Sequence, residues 1–284
     1  MSPMTERWGA TTASPCYGSD IMITGLDHIA IAVRDFEATV DAYRRLFGRE
    51  PDLEPGDGAH RAWFRFPNVA FEIIAPGDDH PGHQVRQRLD EAGEGQWLAA
   101  FQVDDVAAST RLLERRGLAV EPMGTLTRIQ AAGLHFLLWP RRAPTTSPAT
   151  GDEAAAVSEL DHVVVQTPNA DRAVGIYGAK FGMDLRLDRS NEQWGVRQLF
   201  FRCGSAVFEV AASLKTAPTD GPDSFGGLAW RVTDPDAARA RMIAAGFNVS
   251  EVRTGRKPGT RVFTVRDAPG GVPTLMLQQN AEPA

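Results

Sequence analysis

The chain has 284 residues, 43% of them hydrophobic and 23% charged, with a formal net charge of -6. Its length exceeds one ordinary core and suits two domains of about 100–150 residues each, and its composition is that of a globular chain and not of a disordered one. The acidic balance and the lack of any Lys/Arg-rich run exclude the electrostatic footprint of a nucleic-acid or anionic-membrane partner.

In chain order, residues 1–21 are rich in Ser, Thr, Gly and Pro, lack the apolar core of a signal peptide, and read as a disordered leader. A first domain is expected over residues 22–139. It opens with a strand in which Ile29, Ile31 and Val33 alternate with His28, Ala30 and Ala32, the period-2 signature of two distinct faces. Asp35 then offers an N-cap, Phe36, Val40, Tyr43 and Phe47 fall at helical spacing, and Gly48 is placed to end the helix. A short strand over Glu50 to Leu53 completes a β-α-β-β-β order with Ala62 to Phe66 and Val69 to Ile74, two runs joined by a tight turn at Pro67-Asn68. A weaker second unit follows, with Gln102 to Asp105 leading a helical run that ends at Gly117.

Residues 140–158, rich in Arg, Ala, Pro, Thr and Ser without apolar periodicity, read as a solvated linker. A second domain over residues 159–280 repeats the first. Leu26 to Ile31 returns as Leu160 to Val165, Tyr43 as Tyr177, Phe47-Gly48 as Phe181-Gly182, and, after a three-residue insertion, Phe71-Glu72 as Phe208-Glu209. Arg231 to Asp234 leads the last helical run, which ends at Gly246. The longest apolar stretches, Leu134 to Trp139 and Leu160 to Val165, are strand-length and fall far short of the ~20 residues that cross a bilayer. Two cysteines, Cys16 in the leader and Cys203 beside Gly204-Ser205, provide neither a disulfide framework nor a Cys-rich zinc site, so a cytoplasmic location is expected.

Strand parity turns the bulky face of the first strand under the helix and leaves His28 on the opposite face. The same parity puts Glu72 opposite Phe71 and Ile73, His162 opposite Val163 and Val165, and Glu209 opposite Phe208 and Val210. Two His–Glu pairs thus share the helix-free faces of their sheets. An imidazole and a carboxylate on neighbouring strands suit a divalent transition metal that grips two adjacent oxygens while a carboxylate moves a proton. The competing reading is ordinary polar satisfaction, with the glutamates paired to Arg65 or Arg202. Other features carry less: His80 and His83 flank Pro81-Gly82 in a loop, His60 follows a Gly-rich loop at Gly56 to Ala59, and Trp63, Trp97, Trp139, Trp194 and Trp230 suit either a pocket lining or core packing. No Ser-His-Asp, P-loop or dinucleotide signature is present.

The run Leu26 to Val33, the helix ending Phe47-Gly48 and the later Phe71-Glu72 resemble the opening module of the vicinal-oxygen-chelate superfamily, which includes glyoxalase I, methylmalonyl-CoA epimerase, extradiol dioxygenases and metal-free antibiotic-binding proteins. The resemblance covers Ile23 to Leu277 and implies an α+β fold of four βαβββ modules in two tandem glyoxalase-like domains. It also implies His28, Glu72, His162 and Glu209 as ligands of a divalent transition metal (Fe, Mn, Co, Ni or Zn), with Glu72 or Glu209 as the base. Modules two and four depart from the pattern: the remaining ligand positions fall near Leu98 and Gly227, and within Leu134 to Leu137 and Pro273 to Met276. Either the four ligands converge, or His135 or Gln102 completes a three-ligand site, or one half keeps only a vestige.

The expected function is a metal-dependent lyase or isomerase/epimerase acting next to a carbonyl of a small oxygenated molecule through a metal-stabilised enolate. The alternative is a metal-free small-molecule binding or resistance protein. Extradiol ring cleavage ranks third, because a second His near Gly227 and a Glu near Leu275 are missing. Monomer and homodimer both suit four modules in one chain.

Overall fold

The computed structural model describes residues 23–56, 58–77, 84–256 and 258–279. The expected leader over residues 1–21, Cys16, Asp57 and the His80 and His83 loop lie outside the described residues.

The first half runs β1 (Gly25–Ala32), α1 (Phe36–Phe47), β2 (Asp52–Gly56), β3 (Ala59–Phe66), β4 (Val69–Pro76), α2 (Gln84–Ala92), β5 (Gly95–Val103), α3 (Val106–Arg115), β6 (Ala119–Met123), β7 (Leu126–Ala131) and β8 (Leu134–Pro140). Its strands form one sheet in the order β2-β3-β4-β1-β5-β8-β7-β6, in which β1 lies parallel to β4 and antiparallel to β5. The second half repeats this with β9 (Val157–Thr167), α4 (Ala170–Ala173), β10 (Asp184–Asn191), β11 (Val196–Cys203), β12 (Ala206–Ser213), β13 (Ser224–Val232), α5 (Pro235–Ala244), β14 (Arg253–Thr254), β15 (Thr260–Val265) and β16 (Thr274–Gln279). The order β10-β11-β12-β9-β13-β16-β15-β14 matches the first sheet strand for strand. The fold is α+β, four βαβββ modules in two tandem units.

Local chemistry accounts for the elements. The Asp35 carboxylate accepts from the Ala38 N–H at 3.0 Å, and Gly48 closes α1 with a left-handed φ of 65° that a side chain would strain. The strand expected over Glu50 to Leu53 begins instead at Asp52, because Arg49 forms a bridge with Ala149 and the Glu50 N–H donates to the Pro148 carbonyl at 2.9 Å. The segment expected as a solvated linker is therefore tied down: Ser147 is buried and donates its N–H to the Arg65 carbonyl at 2.9 Å. In the second half, α4 widens into a π-helix over Val174–Lys180.

The helix-bearing faces of the two sheets pack on each other and share one continuous core. Trp230 on β13 is fully buried against Phe47 and Phe66, both at 4.8 Å between ring centroids, and against Phe71 at 5.8 Å. Phe136 and Phe101 reach across in the same way to Phe181 and Phe208. The Tyr43 hydroxyl donates to the Pro269 carbonyl at 2.9 Å, and a Cβ on Gly270, whose φ is 60°, would come within 2.9 Å of Ile31 Cδ1. With one face of each sheet buried in this interface, the opposite faces are left to form clefts. Among the described residues no helix is long and apolar enough to cross a membrane.

Because the core is shared, urea denaturation followed by tryptophan fluorescence and far-UV circular dichroism is expected to show one transition for the whole chain. Trp230→Ala is expected to cost about 3–5 kcal/mol of stability and to split or broaden that transition. Two independent transitions in the wild type would contradict the shared core.

Candidate functional site

Parallel pairing of β1 with β4 sets Glu72 beside Ala30, two residues on from His28 and on the same face. The His28 Nδ1 lies 2.7 Å from Asp27 Oδ1, and its Nε2 faces Glu72 Oε2 at 3.9 Å. Arg142 donates through Nε to Asp27 Oδ2 at 3.0 Å and through Nη2 to Oδ1. Burial pushes the Asp27 carboxyl up, but the bonds from His28 and Arg142 outweigh it and hold the group below its usual range. Glu72 is ion-paired with Arg61. Trp63 and Trp139 stand edge-on to the imidazole at 5.3 and 5.1 Å, leaving the His28 side chain 2% exposed.

The second half repeats the line with different surroundings. His162 Nδ1 lies 2.7 Å from Asp161 Oδ1, and Nε2 faces Glu209 Oε2 at 3.6 Å. Arg231 Nε donates to Asp161 Oδ2 at 2.6 Å, and Gln198 Nε2 donates to Glu209 Oε1 at 2.6 Å. Desolvation opposes the charge on Asp161, yet His162 and Arg231 hold its carboxyl below the usual range. The His162 and Glu209 side chains are 19% and 11% exposed, so this pair is less completely buried than the first.

An ionised aspartate only accepts hydrogen bonds, so in each half Nδ1 carries the hydrogen and the Nε2 edge of the ring is turned toward the glutamate. Nε2 and the glutamate oxygen face each other across a gap longer than a hydrogen bond. Such a gap suits a cation or a ligand proton donor, and the aspartate behind the ring is the partner that orients a metal-binding imidazole.

What covers the two clefts differs most. In the first half, Val85 and Leu89 of α2 pack on Ala32, Ala59 and Ile74 at one end of the cleft. The strand registers place Gln166, Val196 and Ala211 at the corresponding positions of the second half. There no helix intervenes between β12 and β13, and those three residues line a cavity of about 440 Å³.

The structure brings His28 to Glu72 and His162 to Glu209, but on separate sheets. Among the described residues no three His, Cys, Asp or Glu gather with metal-holding geometry, so neither a four-ligand convergence nor a site completed by His135 is formed. Gln102 lies in register with Trp139 on β8. His135 lies beside Leu98 on the first sheet, where burial and then Arg128 and Arg88 lower its pKa. The expected glutamate partners are corrected: Arg65 pairs with Asp52, Arg61 holds Glu72, and the amide of Gln198 holds Glu209. Trp97 packs beside α2, while Trp194 is exposed beneath Arg256. His60 is exposed on β3 beside Phe36, and burial pushes the Cys203 thiol up to about 12. The residues that sequence reasoning missed are the two aspartates and the two arginines behind them. The signal for the aspartates was present, since Asp-His recurs at Asp27-His28 and Asp161-His162.

Residues 27–137 and residues 159–273 each match the Glyoxalase/Bleomycin resistance protein/Dioxygenase superfamily. An ethylmalonyl-CoA/methylmalonyl-CoA epimerase from Cereibacter sphaeroides is 33% identical over 103 residues, which covers 35% of this chain and 75% of that protein. Two solved structures share the fold over nearly the whole chain. A mutant of 4-hydroxymandelate synthase from Streptomyces coelicolor has a TM-score of 0.73 at 16% identity, covering 93% of this chain and 94% of its own. An Mn(II)-bound glyoxalase from Novosphingobium aromaticivorans has a TM-score of 0.68 at 16% identity, covering 92% and 84%.

The lowered pKa of His135 has a measurable consequence. The unfolded chain takes up this proton first, so stability falls as pH drops below the ordinary histidine value of 6.5 and levels off below the folded pKa. His135→Asn is expected to flatten the fall in urea midpoint over that window. An unchanged slope would contradict a histidine held neutral by burial and two arginines.

Proposed function

The chain belongs to the glyoxalase/bleomycin resistance protein/dioxygenase superfamily, and on that premise we propose that its second cleft is the working site of a lyase or isomerase that moves a proton beside the carbonyl of a small oxygenated molecule. The observation that carries this reading is the His162 ring, pinned at Nδ1 and facing Glu209 at 3.6 Å, with a cavity lined by Ala211 two residues further along β12 on the same face.

Each residue has a distinct task. Arg231 holds Asp161, and Asp161 holds the imidazole in one tautomer and one orientation. Gln198 occupies Oε1 of Glu209, so Oε2 is left to accept a substrate proton. The cavity beyond Ala211 gives the rest of the molecule room. The donor set of His162 Nε2 and Glu209 Oε2 fits a divalent transition ion (Fe, Mn, Co, Ni or Zn), which when bound would polarise the carbonyl oxygen. Gly227 and Leu275 stand where further ligands would be needed, so substrate oxygens and water would supply the remaining coordination. The same two positions count against extradiol ring cleavage.

The first half supports a metal-free reading. Arg61 already compensates Glu72, and α2 fills the cleft end. An organic ligand against Trp63 and Trp139, or no ligand at all, suits this pair better than a cation.

Calorimetric titration with Mn, Fe, Co, Ni and Zn is the direct test. Wild type is expected to bind one ion, His162→Ala and Glu209→Gln to lose it, and Asp161→Asn to weaken it by about 10–100-fold, whereas Glu72→Gln leaves it intact. Failure of the wild type to bind any of the five would leave the metal-free binding reading in place of the enzyme.

A further inference from the structure

We propose that the second cleft selects an anionic substrate, with a carboxylate or phosphate group docking on Arg189 a few bonds from the carbonyl held at His162 and Glu209. The proposal deepens the reading of this cleft as the working site and rests on it.

The two sheets differ here by an exchange of charge at one register position. In the first sheet Glu54 on β2 pairs with Arg61 on β3. In the second sheet the corresponding pair is Arg189 on β10 with Gln198 on β11. The cation that neutralises Glu72 in the first cleft is thus replaced by a neutral amide on Glu209, and an arginine appears one strand further out where the first half has an acid.

Arg189 is poorly occupied. Its Nη2 and Nε donate to the Gln198 Oε1 at 3.1 and 3.3 Å, and it makes no ion pair among the described residues, because Asp184 is taken by Arg186 and Asp188 by Arg197. The guanidinium lies over the Phe200 ring at 5.1 Å, an apolar platform that holds it on the cleft face without using its hydrogens. A planar cation with spare, ordered N–H groups is the group that binds carboxylate or phosphate in bidentate fashion. The Gln198 amide spans from Arg189 to Glu209, so the anion position and the proton-accepting oxygen are separated by one amide group. Phe200 and Gln198 share the face of Glu209 and Ala211, and a cavity of about 440 Å³ lined by Val196 and Ala211 lies at the end of that face.

The test is titration calorimetry of the full chain in the presence of a chelator, with malonate, inorganic phosphate and the neutral ester dimethyl malonate as probes. Malonate or phosphate is expected to bind wild type, to weaken by at least about tenfold in Arg189→Gln, and to bind Arg189→Lys with intermediate affinity, while the ester does not bind. Arg189→Lys keeps the charge, so a graded loss separates recognition from damage to the fold. His162→Ala is expected to keep anion binding, which distinguishes a failure here from a failure of the metal or proton-transfer reading. The proposal is overturned if neither anion binds wild type, if Arg189→Gln binds as tightly as wild type, or if the ester binds as well as the acid.

Discussion

The bond between an aspartate and the Nδ1 of the histidine that follows it, made once in each half, is the interaction on which both clefts depend. A strand alone would leave an imidazole free to turn about its side-chain torsions and to exchange tautomers. The neighbouring carboxylate removes both freedoms and fixes Nε2 toward the glutamate on the parallel strand. Arg142 and Arg231 in turn keep the aspartates ionised despite burial. The arrangement is costly to bury and is worth keeping only where the outward nitrogen is used, which is the argument for function in at least one half.

Built on the same frame, the two halves have diverged in what meets the glutamate. Glu72 faces a guanidinium and lies in a cleft stopped by α2 and walled by two tryptophans, so its charge is spent within the protein. Glu209 faces a neutral amide in a cleft with no stopping helix, so its charge remains available. The divergence extends outward to the exchange of Glu54 for Arg189 at one register position. The two helix-bearing faces supply a shared core independent of what lines either cleft.

Much of this was legible in the residues. Period-2 alternation around His28 and helical spacing from Phe36 to Phe47 placed the first strand and helix, their recurrence identified the two halves, and the weaker runs after Gln102 and Arg231 together with the family resemblance gave the four modules. Parity placed each histidine and glutamate on a common face. Parity also hid the aspartates, since Asp27 alternates away from His28 along the strand while its carboxylate reaches sideways to the adjacent ring. Arg61 was missed for a related reason: Arg65 shares its face, the register sets Trp63 opposite Glu72 with the two arginines equally placed on either side, and it is the pairing of Arg65 with Asp52 that leaves Arg61 to Glu72. The role of α2 and the matching cavity depend on how the connection after β4 or β12 returns over the sheet, which no local pattern encodes. The hold on Ser147 and Pro148 likewise comes from distant backbone partners in a stretch whose composition is that of a free spacer.

The central claim is that only the second histidine offers its Nε2 to a ligand from outside the protein. Proton–nitrogen correlation spectra of protein with ¹⁵N-labelled histidine, recorded during titration with Mn(II), test this most directly. The account predicts Nδ1–H tautomers for both His28 and His162, with paramagnetic broadening confined at low Mn(II) to the His162 ring. Broadening of His28 first, or of both rings equally, would contradict it.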